Sequence, residues 1–371
     1  MEQFVVPCLM GVEGLVADEL RFGGFRDVSA RNGGVLFSGG AEDCARANIS
    51  LRCGERVLLR VAEFRAYSFE ELFQHVRALP WEEYIGRKDA FPVKGHCIGS
   101  RLHSVPDCQR IIKKAAAERL KEVSGGEWLE ESGSRRQIQF AILNDGAEIY
   151  LDTTSAPLYK RGYKQEQGEA GLRETLAASM VKLARYRGRE AFFDPFCGSG
   201  TIAIEAALAA LNLRPGAQRG FDAEQWSDEY RAAFCMARQE AEDAARHEKL
   251  PIYASDIDPE MVRIAEKNAE AAGVRDCIEI SCRDALEIDY PAAGVVMSNP
   301  PYGVRLLDIE QARDIYRRLG ERLLPQPELK AYVLTADTDF ETAFGRAADK
   351  RRKLYNGMIR CDLHMYYRSR T

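Results

Sequence analysis

The sequence has no long apolar run. One of its longest apolar stretches, residues 203–211, contains Glu205 and falls well short of the roughly 20 residues that a membrane-spanning helix needs. Met1-Glu2-Gln3 carries no positive charge and the apolar run at residues 4–7 is short, so the sequence predicts no secretory leader. With 371 residues, of which 46% are hydrophobic and 29% charged, the composition is typical of a globular protein of two or three domains.

The ten cysteines lack the spacing of a zinc site or of a compact disulfide framework. Cys277 with Cys282, and the two histidines and two cysteines within residues 96–108, are the closest groupings, and neither matches a metal-ligand pattern. Tandem repeats and low-complexity tracts are missing too. The cysteine usage predicts a reduced, cytoplasmic protein without a structural metal.

An overall excess of positive charge is also missing. The net charge of −5 argues against indiscriminate binding of nucleic acid over the whole surface. Basic residues nevertheless cluster within residues 87–121, at 160–164 and at 350–353. Any one such cluster is more often a solvated face, but three of them on an acidic chain predict a directed footprint for phosphates.

The first 155 residues carry strand and helix signals in alternation, which predicts small α+β units over residues 1–65 and 66–155. Ser68 is expected to cap a helix, and Pro106 to open another whose basic side chains face water. Asn144-Asp145-Gly146 joins two alternating apolar runs, which is typical of a hairpin.

Residues 156–169 contain proline, glycine and charges without a periodic apolar face, so we predict a linker there. From residue 170 to 371 strand and helix patterns alternate, which predicts an α/β fold with a mostly parallel sheet. Strands are expected near 190–194, 252–256, 277–281, 294–298 and 330–335. Two more strands meet at Asn356-Gly357, so the last should run antiparallel.

The stretch from Gly294 to Gly303 ends an apolar run at an amide, two prolines and an aromatic ring. Val295, Val296 and Met297 predict a buried parallel strand that delivers Asn299 to its carboxyl end. The Asn299 side-chain oxygen and the Pro300 carbonyl are both acceptors, which matches the two hydrogens of an exocyclic amine. Tyr302 offers a face on which a planar base can stack.

Residues 191–205 form the second informative stretch. Two phenylalanines end a strand, Gly198 and Gly200 permit a tight turn, and Thr201 begins an alanine-rich helix. A dinucleotide site would require a third glycine, which is absent, and Asp194 would repel a pyrophosphate. An acid there suits the cationic amino end of a methionine-like ligand.

Further acids follow the next two predicted strands. Asp256 stands where nucleoside-binding sheets hold a ribose diol, while Asp258 precedes Pro259 and is expected to cap a helix. Asp284 is placed to accept a hydrogen bond from an adenine amine. One such acid would be an ordinary cap or surface charge, but the series around one glycine loop predicts a nucleoside site.

With these motifs in order, residues 170–371 resemble a class I S-adenosylmethionine-dependent methyltransferase of the amino-methylating kind. The first motif corresponds to residues 194–200, the second to Asp256, the third to Asp284 and the fourth to residues 299–302. The amino-terminal part resembles a ferredoxin-like and THUMP RNA-binding region, most clearly at residues 104–114. The chain as a whole resembles the bacterial THUMP-containing enzymes similar to the amino-terminal half of the large-subunit ribosomal RNA guanine-N2 methyltransferase.

The resemblance implies S-adenosylmethionine as cofactor, structured RNA as partner and a Rossmann-like sheet. It implies catalytic roles for Asn299, Pro300 and Tyr302. Cofactor binding is expected at Asp194, Pro195, Phe196, Gly198, Gly200, Thr201, Asp256, Ile257, Asp284, Ala285 and Asn299. Contacts with RNA are expected at Arg101, Lys113, Lys114, Lys160 and Arg161.

Several alternatives stay open. Adenine N6 in RNA or DNA would fit the same fourth motif as guanine N2, and the RNA could be a tRNA instead of 23S ribosomal RNA. The chain could also be an RNA-binding module that retains a vestigial cofactor fold. A nucleophilic role for Cys197 is disfavoured, because that thiol lies in the glycine turn and the fourth motif has no cysteine.

Overall fold

The computed structural model describes residues 1–125, 130–164, 171–301 and 309–367, which form two seven-stranded sheets. The first sheet has the order β2-β3-β1-β4-β7-β6-β5, and its described pairs are antiparallel except β5 with β6. Its strands are β1 (Glu2–Pro7), β2 (Arg26–Arg31), β3 (Gly34–Gly39), β4 (Leu58–Arg65), β5 (Val93–Ile98), β6 (Ile138–Leu143) and β7 (Gly146–Asp152). Its helices are α1 (Glu13–Phe22), α2 (Ala41–Ser50), α3 (Phe69–Arg77) and α4 (Val105–Val123).

The predicted helix cap and the predicted hairpin in this half are both confirmed. Ser68 caps α3 by accepting a hydrogen bond from Glu71 N at 3.2 Å. Asn144 and Asp145 have φ of 49° and 64°, as the predicted tight hairpin requires. No pattern in the sequence indicated β2, because this edge strand is mostly exposed and is held by pairing with β3 instead of by an apolar face.

Strand β4 belongs to both amino-terminal parts. It pairs with β1 through Leu58 and Leu59, and with β7 along most of its length. The proposed division at residue 65 therefore falls at the end of a strand that joins the two parts into one sheet.

The second sheet has the order β10-β9-β8-β11-β12-β14-β13. Strands β8 to β12 run parallel and β14 is antiparallel to β12, which confirms the expected α/β sheet with an antiparallel last strand. The strands are β8 (Phe192–Asp194), β9 (Ile252–Asp256), β10 (Ile278–Cys282), β11 (Ala293–Ser298), β12 (Glu328–Thr335), β13 (Lys350–Asn356) and β14 (Ile359–Tyr366). The helices are α5 (Glu174–Leu183), α6 (Thr201–Ala210), α7 (Asp228–Asp243), α8 (Pro259–Ala271), α9 (Ile309–Leu323) and α10 (Phe340–Phe344).

The segment between α6 and β9 crosses to the first sheet. Phe221, Trp226 and Phe234 are buried in the same hydrophobic core as the strands of the amino-terminal part. Trp226 Nε1 donates to Arg135 O at 3.0 Å, and α7 packs against α2. The two sheets are thus locked together by an insertion as well as by the connecting segment.

The segment predicted to be a linker is well packed where the structure describes it, at residues 156–164. Leu158 and Tyr163 are buried, and the Arg161 side chain is 2% exposed beside Glu205. Arg161 also donates to Leu158 O and Arg52 O. The prediction that Arg161 contacts RNA is therefore wrong, because its guanidinium is enclosed by protein acceptors. Among the described residues, every helix is too short or too polar to span a lipid bilayer.

Candidate functional site

The site forms where the order of the parallel strands reverses. Strand β8 lies between β9 and β11, and Val296 of β11 pairs with Phe193 of β8. Val295, Val296 and Met297 are fully buried, which confirms the predicted buried parallel strand. Asp194 is the last residue of β8 and Asn299 directly follows β11, so both lie at the carboxyl ends of the strands, the edge at which open α/β sheets bind ligands.

Asp194 ends β8 as a buried carboxylate. Neither of its oxygens makes a hydrogen bond of regular geometry with a described residue, although the backbone N–H of Ala203 is near enough to act against the rise in its pKa. Burial raises the pKa of Asp194 well above its ordinary value, and the negative charge of Asp256 adds to the shift. A buried carboxylate without a partner is costly, so this position favours a ligand that brings a cationic donor.

The glycine loop is held by backbone contacts to the neighbouring strand and helix. Cys197 N donates to Ser255 O at 2.9 Å, and Gly198 N donates to Asp256 Oδ2 at 2.9 Å. Gly200 has φ of 81°, and a Cβ there would lie 3.1 Å from the Cβ of Ala265 on α8. Glycine at 200 thus lets α8 approach the loop closely. Thr201 follows as the first residue of α6 and is buried.

Two neighbours of the loop complete its surroundings. Pro195 is buried, and Phe196 is half-buried against the cluster that contains Tyr290 and Leu286. The Phe196 side chain thus packs the start of the loop against a cluster separate from the one that contains α6.

Asp256 at the end of β9 serves the loop and retains acceptor capacity. Its carboxylate accepts from Gly198 N and from Asp258 N, which uses two of about four acceptor positions. Asp258 Oδ1 accepts from Glu260 N at 2.8 Å, which confirms the predicted cap of α8. Ile257 between them is 69% exposed, so it presents an apolar surface at the binding edge.

Asp284 follows β10 and is partly exposed. Its Oδ1 accepts from Leu286 N at 2.8 Å, and Ala285 beside it is buried. Arg283 N donates to Asp256 O at 3.0 Å, which ties the ends of β9 and β10 together. The three acids therefore stand at the ends of three adjacent strands.

Asn299 directly follows β11 and has an unused acceptor. Its Oδ1 is buried and has no hydrogen-bond partner in the described part of the molecule, although the residue as a whole is partly exposed. Pro300 is buried, and the Pro301 carbonyl accepts from Tyr316 Oη at 2.9 Å. Tyr302 lies outside the described residues.

Cys197 is a poor nucleophile in this setting. Burial raises the pKa of its thiol well above the ordinary value, and the charges of Asp194 and Asp256 raise it further. A reactive cysteine needs the opposite, an electropositive and accessible environment.

Two residues that support the site were not predicted from the sequence. Buried Asn268 on α8 donates to Ser199 O at 2.9 Å and supports the glycine loop from behind. The sequence could have indicated Asn268, because an asparagine is unusual on the apolar face of a helix that also carries Ile264 and Ala265. Tyr316 on α9 reaches the diproline turn from a helix that carries no motif, so the sequence offered no signal for it.

The four remaining positions predicted to contact RNA differ in availability. Arg101 and Lys160 are exposed, and the Arg101 guanidinium lies 5.2 Å from the centre of the Tyr67 ring. Lys114 is 69% exposed and 3.8 Å from Glu118. Lys113 is half-buried, 2.6 Å from Glu131, so much of its charge is already neutralised.

The donors and acceptors at this edge fit S-adenosylmethionine. Asp194 offers its buried carboxylate to an ammonium group, Asp256 keeps acceptors for a ribose, and Asp284 Oδ2 for an exocyclic amine. Exposed Ile257 offers an apolar contact to a flat base.

Family models match three parts of the chain. Residues 3–58 match the RlmL ferredoxin-like domain, residues 66–152 the THUMP domain, and residues 161–365 the model described as "RMKL-like, methyltransferase domain".

Two curated relatives are similar over almost the whole chain. YpsC of Bacillus subtilis (strain 168), which carries a provisional name as an RNA methyltransferase, is 42% identical over 96% of this chain and 94% of its own length. The ribosomal RNA large subunit methyltransferase K/L of Shewanella frigidimarina (strain NCIMB 400) is 32% identical over 99% of this chain. The chain spans only 53% of that relative's length.

Two crystal structures are similar throughout. SMU.472, provisionally described as a methyltransferase and complexed with SAH, has a TM-score of 0.94 and 39% identity, and covers 100% of this chain and 99% of its own. A protein from Listeria monocytogenes (str. 4b F2365), described as a predicted N6-adenine-specific DNA methylase, has a TM-score of 0.93 and 40% identity, and covers 99% and 96%.

Proposed function

Because the chain belongs to the RMKL-like methyltransferase family and is an RNA methyltransferase with S-adenosylmethionine as its cofactor, we propose that it methylates the exocyclic amine of a base. The proposed target is guanine N2 in 23S ribosomal RNA, and the proposed location is the cytoplasm. The observation that carries the choice of an amine is the Asn299 side chain. Its Oδ1 is buried without a partner among the described residues and stands at the end of β11, one strand from the glycine loop.

The cofactor would be held by the three strand-end acids and the glycine loop. Asp194 would accept from its ammonium group, Asp256 from the ribose and Asp284 from the adenine amine. Gly198, Gly200 and Thr201 would bring backbone close to it, with Pro195 and Phe196 supporting the loop and Ile257 and Ala285 flanking the base. When bound, S-adenosylmethionine supplies a methyl group that its sulfonium has already activated.

The protein's part in the reaction is to position the amine. An exocyclic amine on a base is a weak nucleophile, because its lone pair is shared with the ring. Asn299 Oδ1 and the Pro300 carbonyl would each accept one of its hydrogens, which favours a tetrahedral nitrogen and stabilises the positive charge that develops there. A strong general base is unnecessary, since the methylated amine loses its proton readily. Tyr302 remains predicted to stack on the base, which must leave its own stack to enter the site.

The RNA would be gripped by the THUMP region while the pocket selects the atom. Arg101, Lys114 and Lys160 are the exposed cations proposed for phosphate contacts, with a smaller contribution from half-buried Lys113. Ribosomal RNA is favoured because the chain spans about half of a relative named as a ribosomal RNA large subunit methyltransferase. That name specifies no base, so guanine N2 rests on the resemblance drawn from the sequence motifs.

Adenine N6 is the second candidate, because the acceptor pair at Asn299 and Pro300 suits either amine. The name of the Listeria relative favours that candidate. An RNA-binding module with a vestigial cofactor fold is a third candidate, which the buried acceptors of Asp194 and Asn299 oppose, since neither has a partner within the described residues.

Product analysis separates these candidates. The purified protein is incubated with isotopically labelled S-adenosylmethionine and either 23S ribosomal RNA or tRNA from a strain that lacks the protein, and the nucleosides are identified by mass spectrometry. We expect labelled N2-methylguanosine in the 23S RNA. Labelled N6-methyladenosine would overturn the guanine assignment, and label in tRNA alone would overturn the ribosomal one. Calorimetry that detects no binding of S-adenosylmethionine would favour the RNA-binding module.

A further inference from the structure

Tyr316 joins the diproline turn to the end of a neighbouring strand. It lies on α9 and is fully buried, with its ring 5.0 Å from that of Phe340 in an edge-on contact. Its hydroxyl is 2.9 Å from the Pro301 carbonyl oxygen and 3.2 Å from Thr335 Oγ1, at the carboxyl end of β12. Thr335 is also buried. The hydroxyl therefore sits between the substrate-facing turn and the rigid sheet.

The direction of these hydrogen bonds is fixed by the groups at the two ends. The Pro301 carbonyl can only accept, so Tyr316 must donate its single proton there. Thr335 Oγ1 must then donate to Tyr316 Oη, and it accepts in turn from Asp337 N at 3.1 Å. The result is a chain of three bonds that runs from the Asp337 backbone to the Pro301 carbonyl. Hydrogen bonds aligned in this way strengthen one another in a buried setting.

The diproline turn needs such an anchor because it cannot donate hydrogen bonds itself. Pro300 and Pro301 have no backbone N–H, so a ladder or helix cannot hold them from within. A carbonyl anchored at Pro301 fixes the peptide plane that follows Pro301. Because the proline rings already restrict φ at Pro300 and Pro301, this anchor limits the remaining freedom of the turn, which carries the Pro300 carbonyl and follows Asn299.

We propose that Tyr316 is a positioning residue that fixes the aim of Asn299 Oδ1 and the Pro300 carbonyl at the substrate amine. This inference rests on the proposed function, since it assigns the turn the task of holding that amine. Tyr316 would act from behind the turn, through its hydrogen bond to the Pro301 carbonyl. Its effect belongs to the chemical step, because misaligned acceptors weaken the contact that forms in the transition state.

The test compares two buried tyrosines whose hydroxyls each donate to a backbone carbonyl, of which only Tyr316 contacts the diproline turn. Tyr366 is also buried, and its hydroxyl donates to the Arg346 carbonyl at 3.0 Å. Tyr316→Phe and Tyr366→Phe each remove one hydroxyl. The measurements are kcat and KM with 23S ribosomal RNA from a strain lacking the protein, the Kd for SAH, and the thermal midpoint.

We expect Tyr316→Phe to lower kcat by about tenfold or more, with KM for RNA and Kd for SAH unchanged. The two variants should lower the thermal midpoint by similar amounts, because each loses one buried hydroxyl. Tyr366→Phe should nevertheless keep the kcat of the wild type. Thr335→Val removes the hydroxyl that donates to Tyr316, so it should also lower kcat. Thr335→Ser keeps a hydroxyl at this position and should keep kcat near that of the wild type. The threonine pair also serves if Tyr316→Phe does not fold.

A kcat within twofold of wild type in Tyr316→Phe and Thr335→Val would overturn the inference. So would an equal loss of kcat in Tyr316→Phe and Tyr366→Phe, since the effect would then follow stability alone. Asn299→Ala distinguishes failure of the role assigned to Tyr316 from failure of the proposed function. If it abolishes turnover while Tyr316→Phe is normal, only the role of Tyr316 fails, whereas normal turnover in Asn299→Ala removes the proposed function itself.

Discussion

The guanidinium of Arg161 and the carboxylate of Glu205 form a buried ion pair, with 3.3 Å between Nε and Oε1 and side chains 2% and 0% exposed. Tyr163 Oη donates to the same Glu205 oxygen at 3.1 Å. Glu205 lies on α6, which begins directly after the glycine loop, and Arg161 bonds to Arg52 of the amino-terminal part. The pair therefore connects the amino-terminal half to the helix that follows the glycine loop.

Breaking this pair should destabilise the protein strongly. Arg161→Ala leaves a carboxylate buried without its cation, and we expect the free energy of unfolding to fall by about 3–5 kcal/mol in urea titrations. Arg317→Ala is the matched control, because Arg317 pairs with Glu321 on an exposed helix face. An Arg161→Ala variant as stable as this control, with weakened RNA binding, would restore the surface role that the structure removes.

Asn299→Ala should separate catalysis from cofactor binding. Loss of a preorganised acceptor is expected to reduce kcat by about a hundredfold or more, while the Kd for SAH stays close to that of wild type. Ser298→Ala is the control, because Ser298 Oγ is buried next in sequence and makes no hydrogen bond with any described residue. Normal turnover of Asn299→Ala would show that the amide does not hold the amine.

Asp194→Asn should weaken the binding of SAH by about tenfold to a hundredfold, because a charge-assisted hydrogen bond to the ligand's ammonium is replaced by a neutral contact. Burial raises the pKa of Asp194 in the free protein, and a bound cation would lower it, so binding should release protons at pH values between the pKa of the free protein and that of the complex. Calorimetry in buffers of different ionisation heats should detect this proton release in the wild type and not in the variant. Equal proton release by both proteins would contradict the assignment.

The same carboxyl should make the ligand-free protein less stable as the pH rises. A folded-state pKa above the unfolded value of about 4 means that the folded protein binds the proton more tightly. The stability that this provides is fully present below about pH 4 and is lost as the pH rises through the folded-state pKa. Urea titrations at stepped pH should therefore show Asp194→Asn gaining on the wild type with increasing pH.

Exposed cations should control the salt dependence of RNA binding. Lys114→Ala and Lys160→Ala should each weaken the binding of 23S RNA and reduce the slope of log K against log salt by about one unit for each phosphate that is no longer neutralised. Arg231→Ala on α7 is the control, since that side chain is exposed but pairs with Asp228 outside the proposed footprint. Unchanged slopes in both lysine variants would exclude this surface.

Local patterns in the chain were sufficient to predict the parallel strands of the second sheet and the residue at the end of each. An apolar run that stops at Asp194, Asp256 or Asn299 is such a pattern, because burial and backbone restriction act on adjacent residues. The same holds for the Ser68 cap and the Asn144-Asp145 hairpin, whose geometry depends on a few neighbouring torsion angles.

Which charges and hydroxyls are available to a ligand depends instead on the packed fold. Arg161 lies in a basic cluster that is typical of a surface, but its partner Glu205 is 44 residues away. Trp226 and Arg135 are 91 residues apart in sequence, and Tyr316 reaches Pro301 from a helix that carries no motif. Such contacts depend on how the sheets and helices pack against one another, so they cannot be predicted from a local periodicity in the sequence.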